Sequence, residues 1–128
     1  AGPFNVYNPL DGKGPDAGSV HIVVDAFGGA ATRAASTALA RPGGVIVHIG
    51  LAGGEAGLDV RRMTLQEITF IGSYTYSMDD FAKTAAAIFD GRLGALDWFE
   101  ERPLSDGAGA FTDINSGRAA HPKIILRP

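Results

Sequence analysis

The stretch that decides the fold is Val20–Gly54, VHIVVDAFGGAATRAASTALARPGGVIVHIGLAGG. Val20, Ile22, Val23 and Val24 form an apolar, β-branched run of strand length, broken by Gly28-Gly29. An alanine-rich segment then runs to Leu39-Ala40, and Pro42-Gly43-Gly44 stops it before a second apolar run, Val45–Ile49. Strands apolar on both faces, joined through a helix of about a dozen residues, predict a βαβ unit in a buried parallel sheet. Within that helix Ala31, Ala34, Ala35, Ala38 and Leu39 recur at helical spacing, a face small enough to approach the sheet closely. Ligands of such sheets sit outside the carboxyl ends of the strands. Here those ends are Asp25–Gly29 and Gly50–Gly54, both glycine-rich, so backbone can approach a ligand. Asp25–Gly29 admits two readings: a ligand-facing turn where free helix N–H groups favour an anion, or a tight turn in which Asp25 bonds local backbone.

Working outward, residues 1–19 hold one short strand candidate, Phe4–Asn8, and the breaker-rich loop NPLDGKGPDAGS. Gly12-Lys-Gly14-Pro-Asp-Ala17 matches G-x-G-x-x-A, but no strand precedes it and no helix opens on it, so it reads as a surface loop. On the other side, Glu55–Glu67 is polar and irregular, and Ile68–Ser73 reads as a third core strand. Ser77 with Asp80 predicts a capping-box start to a helix whose stripe of Phe81, Ala85, Ile88 and Phe89 should be core and which Gly91 should stop. Trp98–Pro103 reads as an edge strand ended by proline. Ser105 is placed to cap a weak helix through Phe111 and Ile114, closed by Gly117, and Lys123–Leu126 is a short final strand.

The 128 residues amount to one domain's worth of chain, with 45% hydrophobic and 20% charged residues, the composition of a soluble globular protein. The net charge of −3, with Lys and Arg scattered, argues against nucleic acid. There is no cysteine, hence no disulfide, thiolate nucleophile or Cys-based zinc site. No apolar run approaches the roughly 20 residues that span a bilayer, so no membrane partner is expected. No signal peptide opens the chain, and the expected location is the cytoplasm. The start at Ala1-Gly2-Pro3, without Met, suggests a processed or truncated product.

Reactive side chains are scarce. His21 and His48 lie in core strands and His121 precedes Pro122, none with a second ligand at metal spacing, so all three read as structural or surface residues. Glu100-Glu101 and Asp79-Asp80 are adjacent pairs that face no common point, and neither a Gly-x-Ser-x-Gly elbow nor a phosphate-binding P-loop occurs.

The order of the pieces VVDAFGG, TALARPGGVIVHIGLAGG, TFIGSYTYSMDDFAKTAAAIFDGRL, EERPLSDGAGAF and SGRAAHPKIILRP resembles the C-terminal part of a zinc-dependent medium-chain alcohol or polyol dehydrogenase. The resemblance covers essentially the whole chain. It implies an α/β fold, a partial Rossmann-like parallel sheet with strands equivalent to the family's 3, 4, 5 and 6, and a C-terminal α+β tail from the catalytic domain. On that basis residues 1–92 are the second half of the dinucleotide-binding domain and 93–128 the catalytic-domain tail. The cofactor would be NAD or NADP. By position Phe27 and Gly28 are similar to residues beside its ribose, Ile49, Gly50 and Leu51 to those beside the nicotinamide ribose, and Ser73, Tyr74 and Thr75 to the stretch receiving the carboxamide. Lys123 is similar to a basic residue near the pyrophosphate. No catalytic residue and no metal ligand is assigned in this chain.

Missing relative to the family are the first strand with its G-x-G-x-x-G loop, the second strand that selects NAD or NADP, and the zinc ligands. The implied activity is oxidoreduction of a small alcohol or polyol, with zinc supplied from upstream residues and these 128 residues inert alone. Two other readings stand beside it: a zinc-free quinone-oxidoreductase relative, and a non-enzymatic α/β binding or dimerisation module. In the 3-2-1-4-5-6 strand order Val20–Val24 would be an apolar edge, to be covered by the N-terminal segment, another copy or the absent half. The other edge, Ile68–Ser73, is where the family pairs subunits, which implies a homodimer or tetramer.

Overall fold

A computed structural model describes residues 4–128; Ala1-Gly2-Pro3, on which the reading of a processed start rests, lies outside them. The chain divides into two compact units, Ala1–Thr75 and Tyr76–Pro128.

The first unit carries β1 (Val20–Asp25), α1 (Ala30–Leu39), β2 (Ala40–His48), α2 (Val60–Leu65) and β3 (Thr69–Gly72). The strands form one parallel sheet in the order β1-β2-β3, the βαβ arrangement that the apolar runs predict. The core lies on one face. Ile46 is fully buried, aligned with Val23 on one side and Phe70 on the other, and packs with Ala40, Ile68 and Met63. On the opposite face Ile22 and Val24 remain 63% and 59% exposed, so burial of both faces does not hold.

Several local expectations are corrected. Phe4–Asn8 is not a strand: β1 pairs only with β2, so the segment has no neighbour to bond with, and it is exposed. Asn8 instead starts a 3-10 turn at Pro9–Asp11 by accepting from the Leu10 amide. Of the expected sheet strands, the equivalents of the fourth, fifth and sixth are present; among the described residues the third is not, and residues 4–19 add no strand to β1. The segment Glu55–Glu67 contains α2, capped by the Asp59 carboxylate on the Arg62 amide at 2.8 Å. Pro42-Gly43-Gly44 lies inside β2, as an irregularity between the Val20–Ala40 and Ile22–Val45 pairs.

Helix α1 turns a different face inward from the alanine face. Arg33, Ser36 and Thr37 are buried while Ala31, Ala34, Ala35 and Ala38 are exposed. Polar residues tolerate this because each is bonded: the Ser36 hydroxyl donates to the Thr32 carbonyl and the Thr37 hydroxyl to the Arg33 carbonyl, both at 2.8 Å. At the helix's far end Arg62 of α2 donates to the carbonyls of Thr37 and Ala40, supplying partners and positive charge where the dipole wants them.

The second unit holds α3 (Met78–Phe89), β4 (Phe99–Pro103), α4 (Gly107–Asn115) and β5 (Lys123–Arg127). The Ser77–Asp80 capping box forms as read. Gly91, at φ +69°, closes α3 with the Gly91 amide on Ile88 and the Arg92 amide on Ala87, the Schellman pattern. Its stripe is not core: Phe81 and Phe89 are 54% and 87% exposed. β4 and β5 pair in parallel around α4. Asp106 takes the N-cap position expected of Ser105, because Leu104–Asp106 forms a 3-10 turn first. Gly117 closes α4 as Gly91 closes α3.

Candidate functional site

The carboxyl ends of the first unit's strands converge on Asp25, the last residue of β1 and 4% exposed. Its carboxylate accepts from the amides of Phe27 at 3.1 Å and Gly28 at 2.8 Å, and from the Thr32 hydroxyl at 3.1 Å. His48, the last residue of β2, brings Nδ1 to 3.1 Å of the same carboxylate and tilts against the Phe70 ring. Burial pushes the Asp25 carboxyl up, but the Gly28 amide, the Thr32 hydroxyl, the Phe27 amide and the His48 charge together hold it below the usual carboxylate range. Of the two readings of this turn, the local bonds are made: Asp25 is an internal anion that occupies amides an external one would use. The Gly29 amide is taken as well, by the Thr32 hydroxyl at 3.0 Å.

The next layer is the contact between the two glycine turns. A Cβ on Gly28 would overlap the Gly50 carbonyl and sit 2.8 Å from the Leu51 nitrogen, and one on Gly50 would overlap the backbone of Phe27 and Gly28. Gly28 is also at φ +75°. These glycines therefore let one turn approach the other, a pairing that spacing alone does not reveal. The amides of Ile49 and Gly50 donate to the Asp25 carbonyl and that of Ala52 to the Phe27 carbonyl, all within 3.1 Å. Around the interlock, Phe27, Ile49 and Leu51 keep exposed apolar side chains. The end of β3 joins through the Ser73 amide on the His48 carbonyl at 2.9 Å, and Tyr74 and Thr75 continue, exposed, from it. Eight of the nine residues expected at a cofactor thus fall in one unit, at or just beyond the strand ends. Lys123 belongs to the second unit, where it begins β5 with Nζ 5.5 Å from the centre of the Trp98 ring.

Arg33 is the residue that sequence reasoning missed, because it falls between the alanines of a helix read for its small face. It is 7% exposed. Nη1 donates to the Gly28 carbonyl at 2.6 Å, Nε to Ala56 at 2.7 Å, and Nη2 to Gly54 at 2.6 Å and Gly53 at 3.3 Å.

Zinc does not fit the donors present. No group of three or more His, Asp or Glu side chains able to hold a metal exists among the described residues, and the chain has no cysteine. Among the described residues the one His–carboxylate pair, His48 with Asp25, is committed to the turn. The G-x-G-x-x-A loop is irregular, as read, and lines an open cavity of about 440 Å³ with Ala35, Ala38 and Leu39, at the opposite end of α1 from the glycine turns.

Residues 13–90 match the family model described as zinc-binding dehydrogenase. The chain belongs to the zinc-binding dehydrogenase family. The chain is similar to a probable D-xylulose reductase A of Neosartorya fischeri, 26% identical over 98 residues, which is 76% of this chain and 27% of that protein. Among solved structures, a cobalt- and zinc-bound thermostable alcohol dehydrogenase from Pyrobaculum aerophilum is 28% identical, with TM-score 0.69 over 84% of this chain and 32% of that one. L-idonate 5-dehydrogenase from Escherichia coli superposes with TM-score 0.76 over 97% of this chain and 35% of that one, at 19% identity, and so attests the fold. The chain spans about a third or less of the length of these relatives.

Proposed function

We propose that this chain supplies the nicotinamide side of an NAD(P) site in an alcohol or polyol oxidoreductase, with Thr69–Gly72 as an edge for pairing with a second copy. The observation that carries the reading is the pair of interlocked turns at the carboxyl ends of adjacent parallel strands, flanked by the exposed apolar side chains of Phe27, Ile49 and Leu51. Ligands of open α/β sheets lie at such ends. The cofactor, when bound, would supply hydride transfer. The protein's share would be to hold it: the apolar side chains of Phe27, Ile49 and Leu51 would exclude water, and the Ser73–Thr75 backbone, by its likeness to the family, would offer polar groups to the carboxamide. The polyol side of the substrate class rests on the xylulose reductase relative.

Because the donors present cannot assemble a zinc site, the ligands of a zinc-dependent reaction would come from residues outside these 128, and the chain alone is proposed to be inert towards alcohols. Titration of the isotope-labelled chain with NADH tests the site. Amide shifts concentrated at residues 27–28, 49–51 and 73–75 are expected; saturation with shifts elsewhere, or none up to millimolar NADH, would overturn it.

A further inference from the structure

We infer that Arg33 is the positioning residue of these turns: its guanidinium ties the Gly53–Ala56 loop to the Gly28 turn and thereby sets their separation. Every contact it makes points to this. One nitrogen is on Gly28 at the end of β1, and the other two are on Gly53, Gly54 and Ala56 beyond β2. None of its partners is a carboxylate, so the buried charge is met only by converging carbonyl dipoles, an arrangement kept together by the cation itself.

The loop has little else to hold it. Among the described residues no backbone–backbone hydrogen bond anchors Gly53–Leu58. Gly53, Gly54 and Gly57 all sit at positive φ, where glycine has the widest choice of conformation. Gly57 is pressed against the Ala30 carbonyl, so the loop must pass close beneath the start of α1, where Arg33 reaches it. A lysine could not substitute: its three donors radiate from one point, whereas the planar fork reaches carbonyls on two sides. That the fixed separation serves a dinucleotide rests on the function proposed above; the fixing itself does not.

The test compares the intact chain with Arg33→Lys and with Arg62→Lys, which alters the arginine serving the other end of α1. In the wild type the amides of Gly53–Ala56 are expected to show order parameters of rigid backbone, about 0.85, falling below about 0.6 in Arg33→Lys. Val45–Val47 should not change. Arg62→Lys should lower Tm yet leave the loop rigid. NADH Kd should rise about tenfold in Arg33→Lys and stay within about twofold in Arg62→Lys. A loop equally ordered in Arg33→Lys, or loosened as much by Arg62→Lys, would overturn the inference. If the wild type binds no NADH, the functional reading fails and the order parameters still decide the role of Arg33. Should Arg33→Lys not fold, the wild type alone decides: an Arg33 Nε–H protected from solvent exchange supports the inference, and one exchanging freely overturns it.

Discussion

Asp25 gathers four hydrogen bonds on one buried carboxylate, and the folded state depends on its charge. Asp25→Asn keeps the size but turns an N–H donor towards groups that themselves donate, at a cost of about 1–3 kcal/mol. Its folded pKa lies below the value of about 3.9 for a free Asp. The contribution is therefore present in full above that unfolded value and lost as pH falls through the lower folded one. Urea unfolding between pH 7 and pH 2.5 should show the wild type converging on Asp25→Asn only at the acid end. The turn glycines sort by what surrounds them. Gly28→Ala meets the Gly50 carbonyl at a positive φ and should cost about 3 kcal/mol or more. Gly53→Ala, at φ +109° with open space around it, should cost only conformational strain, about 1–2 kcal/mol. Thermal unfolding of the two variants separates these. Leu51→Asp changes no packing, since Leu51 is 75% exposed. It is expected to weaken NADH at least tenfold with Tm unchanged, and undiminished affinity would remove Leu51 from the site.

The helices differ in how openly they declare themselves. α3 was readable at both ends, because Ser77, Asp80 and Gly91 act through their own backbone and a few neighbours. Ser77→Ala should cost about 1 kcal/mol, seen as faster amide exchange through the first turn of α3. α2 hid in a polar stretch, since six residues offer too short a period to show, and only the Asp59 cap marks it. The sequence places α1 but not the face that it buries. Alanines suit any helix face, whereas Arg33, Ser36 and Thr37 could be buried only where carbonyls lay within reach, and those come from the same helix and from a loop some twenty residues on.

At the scale of the molecule the exposed apolar surface is large for one chain: Ile22 and Val24 on β1 and Ile71 on β3 all face outward, 63%, 59% and 47% exposed. Strands at both edges of the three-stranded sheet have open ladders, and such edges recruit other strands. Sedimentation equilibrium is expected to return twice the chain mass, through pairing of β3 with its copy. A strictly monomeric mass across the concentration range would set that pairing aside, and with it the dimer that the family resemblance implies.

What the sequence determined by itself was the succession of strands and helices across Val20–Gly54, their parallel sense, the caps of α3 and the place of the glycine turns at the strand ends. These follow from side-chain period, β-branching and turn chemistry, which act over a few residues. It also carried the family, through the order of its segments. The tertiary structure alone decided that Gly28 and Gly50 serve each other, that Asp25 and His48 meet, that Phe4–Asn8 finds no strand to join, and that Arg33 bridges two loops. Each of these depends on which groups distant in sequence are brought within about 3 Å, the reach of a hydrogen bond, and no local pattern encodes that distance.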